Sequence, residues 1–244
     1  MESIFLTKKE FNALKGLLKR EPASVEGNIY IYENDKVLKI FKSKDPNILK
    51  NKYNKIHLLN KLKQDNITLP EKLVYIDGEF AGYSMKYYSD AETLYEKSFR
   101  LKKSELICYL KKLKSIVLKL HLQKIYITDF NPCNFLIDKG NIILCDCDNW
   151  CINEFKPDIL NRNTNQLLKR GIELGSIMDI YNFNLMTISV LKKILITYVI
   201  SYMKNSRIFY NKQAEEIINN MLMPNIIETR FIVDSFKEKR LNLF

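Results

Sequence analysis

The chain has 244 residues, 46% of them apolar and 27% charged, enough to bury a core in one two-lobed domain or in two small ones. Its net charge of +11 is spread over both halves, and its most hydrophobic part, Ile180 to Met203, is interrupted by Lys192 and Lys193, which excludes a membrane span and predicts a buried helix. The five cysteines are odd in number and show no CxxC spacing, which argues against a disulfide framework or zinc site. With an N-terminus unlike a secretory signal, this predicts a cytoplasmic protein.

Taken in order, Ile4 to Leu18 carries apolar residues at helical spacing (Phe5, Phe11, Leu14, Leu18) and predicts a short amphipathic helix. Asn28–Tyr32 and Lys36–Lys42 are β-prone runs around Glu33-Asn34-Asp35, a hairpin signal. Asp45-Pro46 then opens a helix to about Leu62, with Asp45 as N-cap and Pro46 in the first turn. Lys72–Ile76 and Phe80–Tyr87 flank Asp77-Gly78 as a second hairpin. After residue 88 the character changes. Lys103 to Leu122 has a sustained helical period, Phe135–Asp138 and Asn141–Cys145 read as short strands around Lys139-Gly140, and helical patterns fill most of Ile177 to the C-terminus, with a break near Pro224. The expected class is therefore α+β, with a β-rich lobe over residues 1–88 and a helical lobe over 89–244.

Between Lys97 and Lys124, nine Lys/Arg face a single acid, Glu105. This stretch is either a solvated helix face or a docking patch for an acidic partner or phosphate. No DNA- or RNA-binding motif accompanies it, so nucleic-acid recognition is not expected.

The chemistry concentrates in Leu120 to Trp150. Asp129 is followed five residues later by Asn134, and a short hairpin then leads to Asp146 and Asp148. Phosphoryl transfer needs a carboxylate to orient a hydroxyl and take its proton, and hard oxygen ligands for Mg²⁺. Asp and Asn five apart on a loop can divide those tasks, and Pro132 between them favours a rigid turn.

This segment resembles the catalytic region of the protein-kinase superfamily. Leu120-His121 matches the pair that ends the helix before the catalytic loop, Asp129 to Asn134 matches its aspartate–four residues–asparagine pattern, and Asp146 falls where the family has its metal-binding aspartate. The resemblance implies a two-lobed kinase-like fold that binds ATP and Mg²⁺. It makes Asp129 the catalytic base, Asn134 and Asp146 metal ligands, and Asp148 a rival or supporting carboxylate. Lys36-Val37-Leu38-Lys39 looks like the strand that carries the ATP-phosphate lysine, which would be Lys39. Gly82 to Tyr88 looks like the strand entering the hinge, placing Met85 behind the adenine and Lys86–Tyr88 along its edge, although an aromatic core strand explains the same side chains. Met178 to Phe183 resembles the start of the central helix of the large lobe, with Asp179 anchoring the catalytic loop.

Several positions depart from the family's pattern. Only Gly27 stands where a glycine-rich phosphate loop is expected, in Ala23 to Tyr30. The helix that should present a glutamate to Lys39 has no acid between Asp45 and Asp65, and Lys55 sits near that place. Thr128 replaces the arginine before the catalytic aspartate, so activation by a phosphate docked on that arginine is not expected. Asn131 replaces a lysine usual in serine/threonine kinases. The implied activity is γ-phosphoryl transfer from ATP to a hydroxyl of an unidentified protein, by a divergent bacterial-type serine/threonine kinase. A small-molecule phosphotransferase of the aminoglycoside or choline kinase type and a nucleotide-binding pseudokinase scaffold are the alternatives.

Overall fold

The computed structural model describes residues 1–14, 26–33, 35–205, 211–223 and 226–236. In chain order they form β1 (Glu2–Leu6), α1 (Lys8–Ala13), β2 (Gly27–Glu33), β3 (Lys36–Phe41), α2 (Pro46–Leu59), β4 (Lys72–Ile76) and β5 (Glu79–Lys86). There follow β6 (Glu92–Thr93), α3 (Leu94–Ser98), α4 (Lys103–His121), β7 (Ile125–Tyr126), β8 (Phe135–Asp138), β9 (Asn141–Leu144), β10 (Cys151–Ile152), α5 (Arg162–Lys169), α6 (Ser176–Lys192), α7 (Val199–Asn205) and α8 (Lys212–Leu222). The architecture is mixed α and β, and it divides into two compact units. One comprises Met1–Ala91 with Leu144–Ile159, the other Glu92–Ile143 with Leu160–Phe244.

The first unit is built on a five-stranded sheet in the order β1-β4-β5-β3-β2, antiparallel except for the parallel β1–β4 edge. The expected helix from Ile4 is corrected here: residues 2–6 are a strand, and the helix starts only at Lys8. Thr7 and Glu10 make a reciprocal capping box, fixing the helix start after Leu6. Ahead of that cap, the alternation of Ile4 and Leu6 turns both toward the cluster of Leu38, Ile40, Val74 and Ala81, while Phe5 points out and stacks on Tyr75. Residue 18 and most of the expected phosphate loop lie outside the described residues. The other sheet face carries Val37, Phe41, Leu73, Tyr83 and Met85, and packs against Ile56 of α2. Asp45 caps α2 through the Asn47 amide, with Pro46 at the first position, as the sequence predicts.

Two glycines are required where strands approach closely. A Cβ on Gly82 of β5 would stand 1.9 Å from the Lys39 carbonyl oxygen, and one on Gly27 of β2 would stand 2.8 Å from the Ile40 carbonyl oxygen. Both glycines therefore let neighbouring strands close on β3, the strand that carries Lys39.

The second unit is mainly helical, with short strands such as β6 and β8 paired antiparallel. α6 is buried on nearly every face from Met178 to Val190, as expected of a central core helix, and Phe183 joins Phe130 and Phe231 in edge-on ring contacts beside it. The C-terminal helical run is more broken than its sequence suggests. Lys193 adopts a left-handed conformation that ends α6, and a 3₁₀ turn over Ile196–Tyr198 precedes α7. Pro224 lies outside the described residues. Two short helices, α3 and α5, start at capping residues Thr93 and Asn161 that the hydrophobic period alone does not reveal. Among the described residues no single helix is long and apolar enough to cross a membrane.

Four of the nine basic residues of the Lys97–Lys124 stretch make contacts inside this unit. Lys97 and Arg100 both pair with Glu92, Lys114 with Asp234, and Lys112 donates to the Gly140 carbonyl at 2.9 Å.

Candidate functional site

In the first unit, α2 and the segment after β9 bring a dense charge cluster against the sheet. Lys39 points from β3 into this cluster and is 2% exposed. Its ammonium pairs with Asp146 and lies 2.6 Å from Asp148 Oδ1 and 3.8 Å from Glu26 Oε2. Asp148 is fully buried and both of its oxygens are engaged. Oδ1 also accepts the Tyr83 hydroxyl at 2.8 Å, and Oδ2 accepts Lys52 at 2.7 Å. Lys52 reaches Glu26 at 3.3 Å and Asp158 at 3.2 Å, while Lys55, equally buried, lies 3.8 Å from Asp158 and 3.4 Å from the Asp148 carbonyl oxygen.

The electrostatics follow from that packing. Burial opposes charge on Lys39, but Asp146, Asp148 and Glu26 outweigh it and hold the lysine firmly protonated. Burial also opposes ionisation of Asp148, and Lys39 with Lys52 reverses this, keeping the carboxyl well below its ordinary range. Glu26 has weaker partners, so burial lifts it to about 7. Lys55 is the least compensated cation, and burial drags it down to about 8. Burial raises the Cys147 thiol, next to these groups in sequence, which makes it inert rather than nucleophilic.

Ligand oxygens of Glu26, Asp146 and Asp148 lie within 4.8 Å of one another, a spacing compatible with a cation. The donors are not equivalent. Both oxygens of Asp148 are filled by protein N–H and O–H groups, whereas Asp146 is 34% exposed. Of the three carboxylates, Asp146 is the one with room for a hard divalent cation, although its Oδ1 is paired with Lys39. Asp146 is itself left-handed, with φ of 63°, which starts the tight 3₁₀ turn Cys147–Asn149 and sends Asp148 inward two residues later.

In the second unit, the predicted loop has an equally definite geometry. Asp129 Oδ2 accepts from the Asn134 side chain at 3.3 Å, and Oδ1 accepts from Asn161 at 2.9 Å. Asn134 closes a 3₁₀ turn that begins at Pro132, and the Asn131 side chain accepts from the Cys133 amide to shape it. Phe130 is buried against Phe135 and Phe183 and pins the loop to the core. Thr128 has φ of 60°, unusual for a β-branched residue. Asp179 of α6 holds it there: Oδ1 accepts the Thr128 amide at 2.9 Å, and Oδ2 accepts the Ile127 amide at 2.8 Å and lies 2.9 Å from His121 Nε2. The Thr128 carbonyl in turn accepts from Thr164 and Asn182.

The remaining candidates lie in the first unit. Gly27 is the buried first residue of β2 rather than part of a loop. Met85 is 8% exposed and belongs to the core cluster opposite Val37, whereas Lys86 is exposed and its ammonium lies 4.9 Å from the Tyr88 ring centre. Sequence reasoning missed Glu26, Lys52, Tyr83 and Asp158 in one unit and Asn161 in the other. A signal for Lys52 was present: with Lys55, Ile56 and Leu59 it forms the buried helical stripe i, i+3, i+4, i+7 of α2, so a lysine falls on an apolar face. Asn161 could have been read as an N-cap.

Comparison with models of known protein families and with curated proteins gives no match to this chain.

Proposed function

We propose that this chain is an ATP- and Mg²⁺-dependent phosphotransferase with a divergent, two-lobed protein-kinase-like fold, which transfers the γ-phosphoryl group to a protein hydroxyl. The observation that carries this reading is the pairing of Lys39 with Asp146, 107 residues apart in the chain. Each was assigned by a separate motif, one as the phosphate-binding lysine and the other as the metal carboxylate, and they come together in one buried cluster. The catalytic loop adds independent support through Asp179, which accepts from two successive loop amides in the way the resemblance expects.

On this reading the tasks divide as follows. Lys39 supplies a fixed positive charge to phosphate oxygens of ATP. Asp146 would supply a hard oxygen to Mg²⁺, which when bound neutralises polyphosphate charge, and Asn134 is the further ligand that the resemblance assigns. Asp129, steadied by Asn134 and Asn161, orients the acceptor hydroxyl and accepts its proton. The acceptor oxygen bonds to the γ-phosphorus as the bond to the β–γ bridging oxygen breaks and ADP departs.

The test is thermal-shift titration with ATP and Mg²⁺, followed by transfer of radiolabel from γ-labelled ATP to the protein itself and to a panel of proteins. The expected result is Mg²⁺-dependent binding and transfer that is lost in Asp129→Ala. Binding with no transfer, unchanged by Asp129→Ala, would replace the enzyme with a scaffold. Transfer confined to small hydroxyl compounds would move the chain to the small-molecule class.

A further inference from the structure

Proteins with a kinase-like site must keep the phosphate-binding lysine extended and aimed. The resemblance leads one to expect a glutamate on the helix for that purpose, and α2 has none. Its inward face instead carries Lys52 and Lys55, 3% and 0% exposed. A helix that presents two ammonium groups to a lysine would repel it unless a carboxylate stood between them.

Asp148 stands there. It lies 2.6 Å from Lys39 on one oxygen and 2.7 Å from Lys52 on the other, and the Tyr83 hydroxyl from β5 completes its shell. The neighbouring acids fit the role less well. Glu26 is 3.8 Å from Lys39. Asp146 is the more open carboxylate, and the reading above draws it to a cation. Asp148 has no exposure, no spare oxygen and three fixed donors.

We propose that Asp148 is the permanent counter-ion of Lys39, and that the usual polarity of this contact is inverted: the acid sits two residues after Asp146, and helix α2 contributes the base, Lys52, that holds the acid in place. Asp148 and Lys52 are thus positioning residues for the nucleotide lysine, an assignment whose catalytic meaning rests on the phosphotransfer reading. Its consequence is that Lys39 is aligned by the Asp146–Asp148 turn itself, and α2 serves to clamp that turn. Lys52 and Lys55 both reach the Asp148 carbonyl, at 3.3 and 3.4 Å, so the helix grips backbone as well as side chain.

The assignment is tested first without nucleotide, by acetylation of lysines in the intact protein and peptide-resolved mass spectrometry. A lysine pinned against a buried carboxylate cannot swing out to meet the reagent, and removing that carboxylate's charge frees it to do so. Asp148→Asn, confirmed as folded by circular dichroism, should raise the labelling rate of Lys39 about tenfold while exposed Lys72 is unchanged. Lys52→Met should leave Lys39 labelling near the wild-type rate, because Asp148 remains, yet increase amide hydrogen exchange in α2. Unchanged Lys39 labelling in folded Asp148→Asn would overturn the assignment. If that variant does not fold, Tyr83→Phe keeps the ring in the core and removes one donor from Asp148. It should speed Lys39 labelling about twofold, and no change at Lys39 would count against the proposal. A second arm measures binding of a fluorescent ATP analogue with Mg²⁺, expected to weaken about tenfold in Asp148→Asn. Wild-type protein that binds no nucleotide, but shows the expected labelling pattern, would remove the phosphotransfer reading and leave the ion-pair assignment standing.

Discussion

Lys52 Nζ lies 2.7 Å from Asp148 Oδ2, with both side chains withdrawn from solvent. The lysine comes from the middle of α2 and the aspartate from a 3₁₀ turn nearly a hundred residues later, so one charge pair ties the helix to the segment that follows β9. Two buried charges cost more to strip of water than they recover unless their remaining valences are filled, and here Glu26, Asp158, Tyr83 and Lys39 fill them.

Breaking that pair from the lysine side leaves Asp148 with Lys39 and Tyr83 but deprives Glu26 and Asp158 of their shared cation. Lys52→Met should destabilise the protein by about 3 kcal/mol, measured by urea unfolding at pH 7. An equal stability would mean that the cluster is not the tie described here.

Gly82 sets the spacing of β5 against β3 at the residue that matters. Adding a methyl group there drives it into the Lys39 carbonyl, backbone that has no freedom to move aside. Gly82→Ala should cost about 2–3 kcal/mol. The same substitution at Gly78, where a Cβ would meet nothing but φ is +85°, should cost about 1 kcal/mol from backbone strain alone. Comparison of the two midpoints in one denaturant series decides between steric and conformational causes.

Lys55 gives a pH dependence with a definite sign. In the folded chain it releases its proton at about 8, against an ordinary 10.5. Between those values the unfolded state holds more protons, so stability should climb with pH, by up to about 3 kcal/mol from this group. Lys55→Met should flatten that part of the profile and raise stability at pH 7. Melting temperatures across pH 7 to 10.5 for the two proteins measure the difference; parallel curves would contradict it.

Asp179 carries the loop of the second unit. Replacing it by alanine strands the buried amides of Ile127 and Thr128 and releases a threonine held at positive φ. Asp179→Ala should cost about 3 kcal/mol, and Asp179→Asn, which keeps one acceptor oxygen, distinctly less. Hydrogen exchange at the Ile127 and Thr128 amides should rise in the same order.

Much of this was legible before any coordinates. The period-2 runs gave β2 to β5, Asp45-Pro46 marked the start of α2, and the apolar stripe of α4 ran to His121, because each depends on residues within one or two turns of each other. The error at Ile4 was avoidable: Thr7 and Glu10 spell a capping box, and a helix cannot begin three residues before its own cap. Lys39, Asp129, Asn134, Asp146 and Asp179 were singled out through the resemblance, and the structure places Lys39 against Asp146 and Asn134 against Asp129.

Which side chains meet was a different matter. Glu26, Lys39, Lys52, Asp148 and Asp158 converge from five separate segments, and no local pattern records a contact between a helix lysine and an aspartate 96 residues away. Composition tells how many charges a chain has, but burial decides which of them must be paired, and burial is a property of the packed sheet and helix. The sequence thus determined β2 to β5, α2, α4 and the Asp129–Asn134 loop. Only the tertiary structure decided that the acid facing Lys39 follows Asp146 and that the helix supplies lysines instead, because desolvated charges select partners by proximity in space.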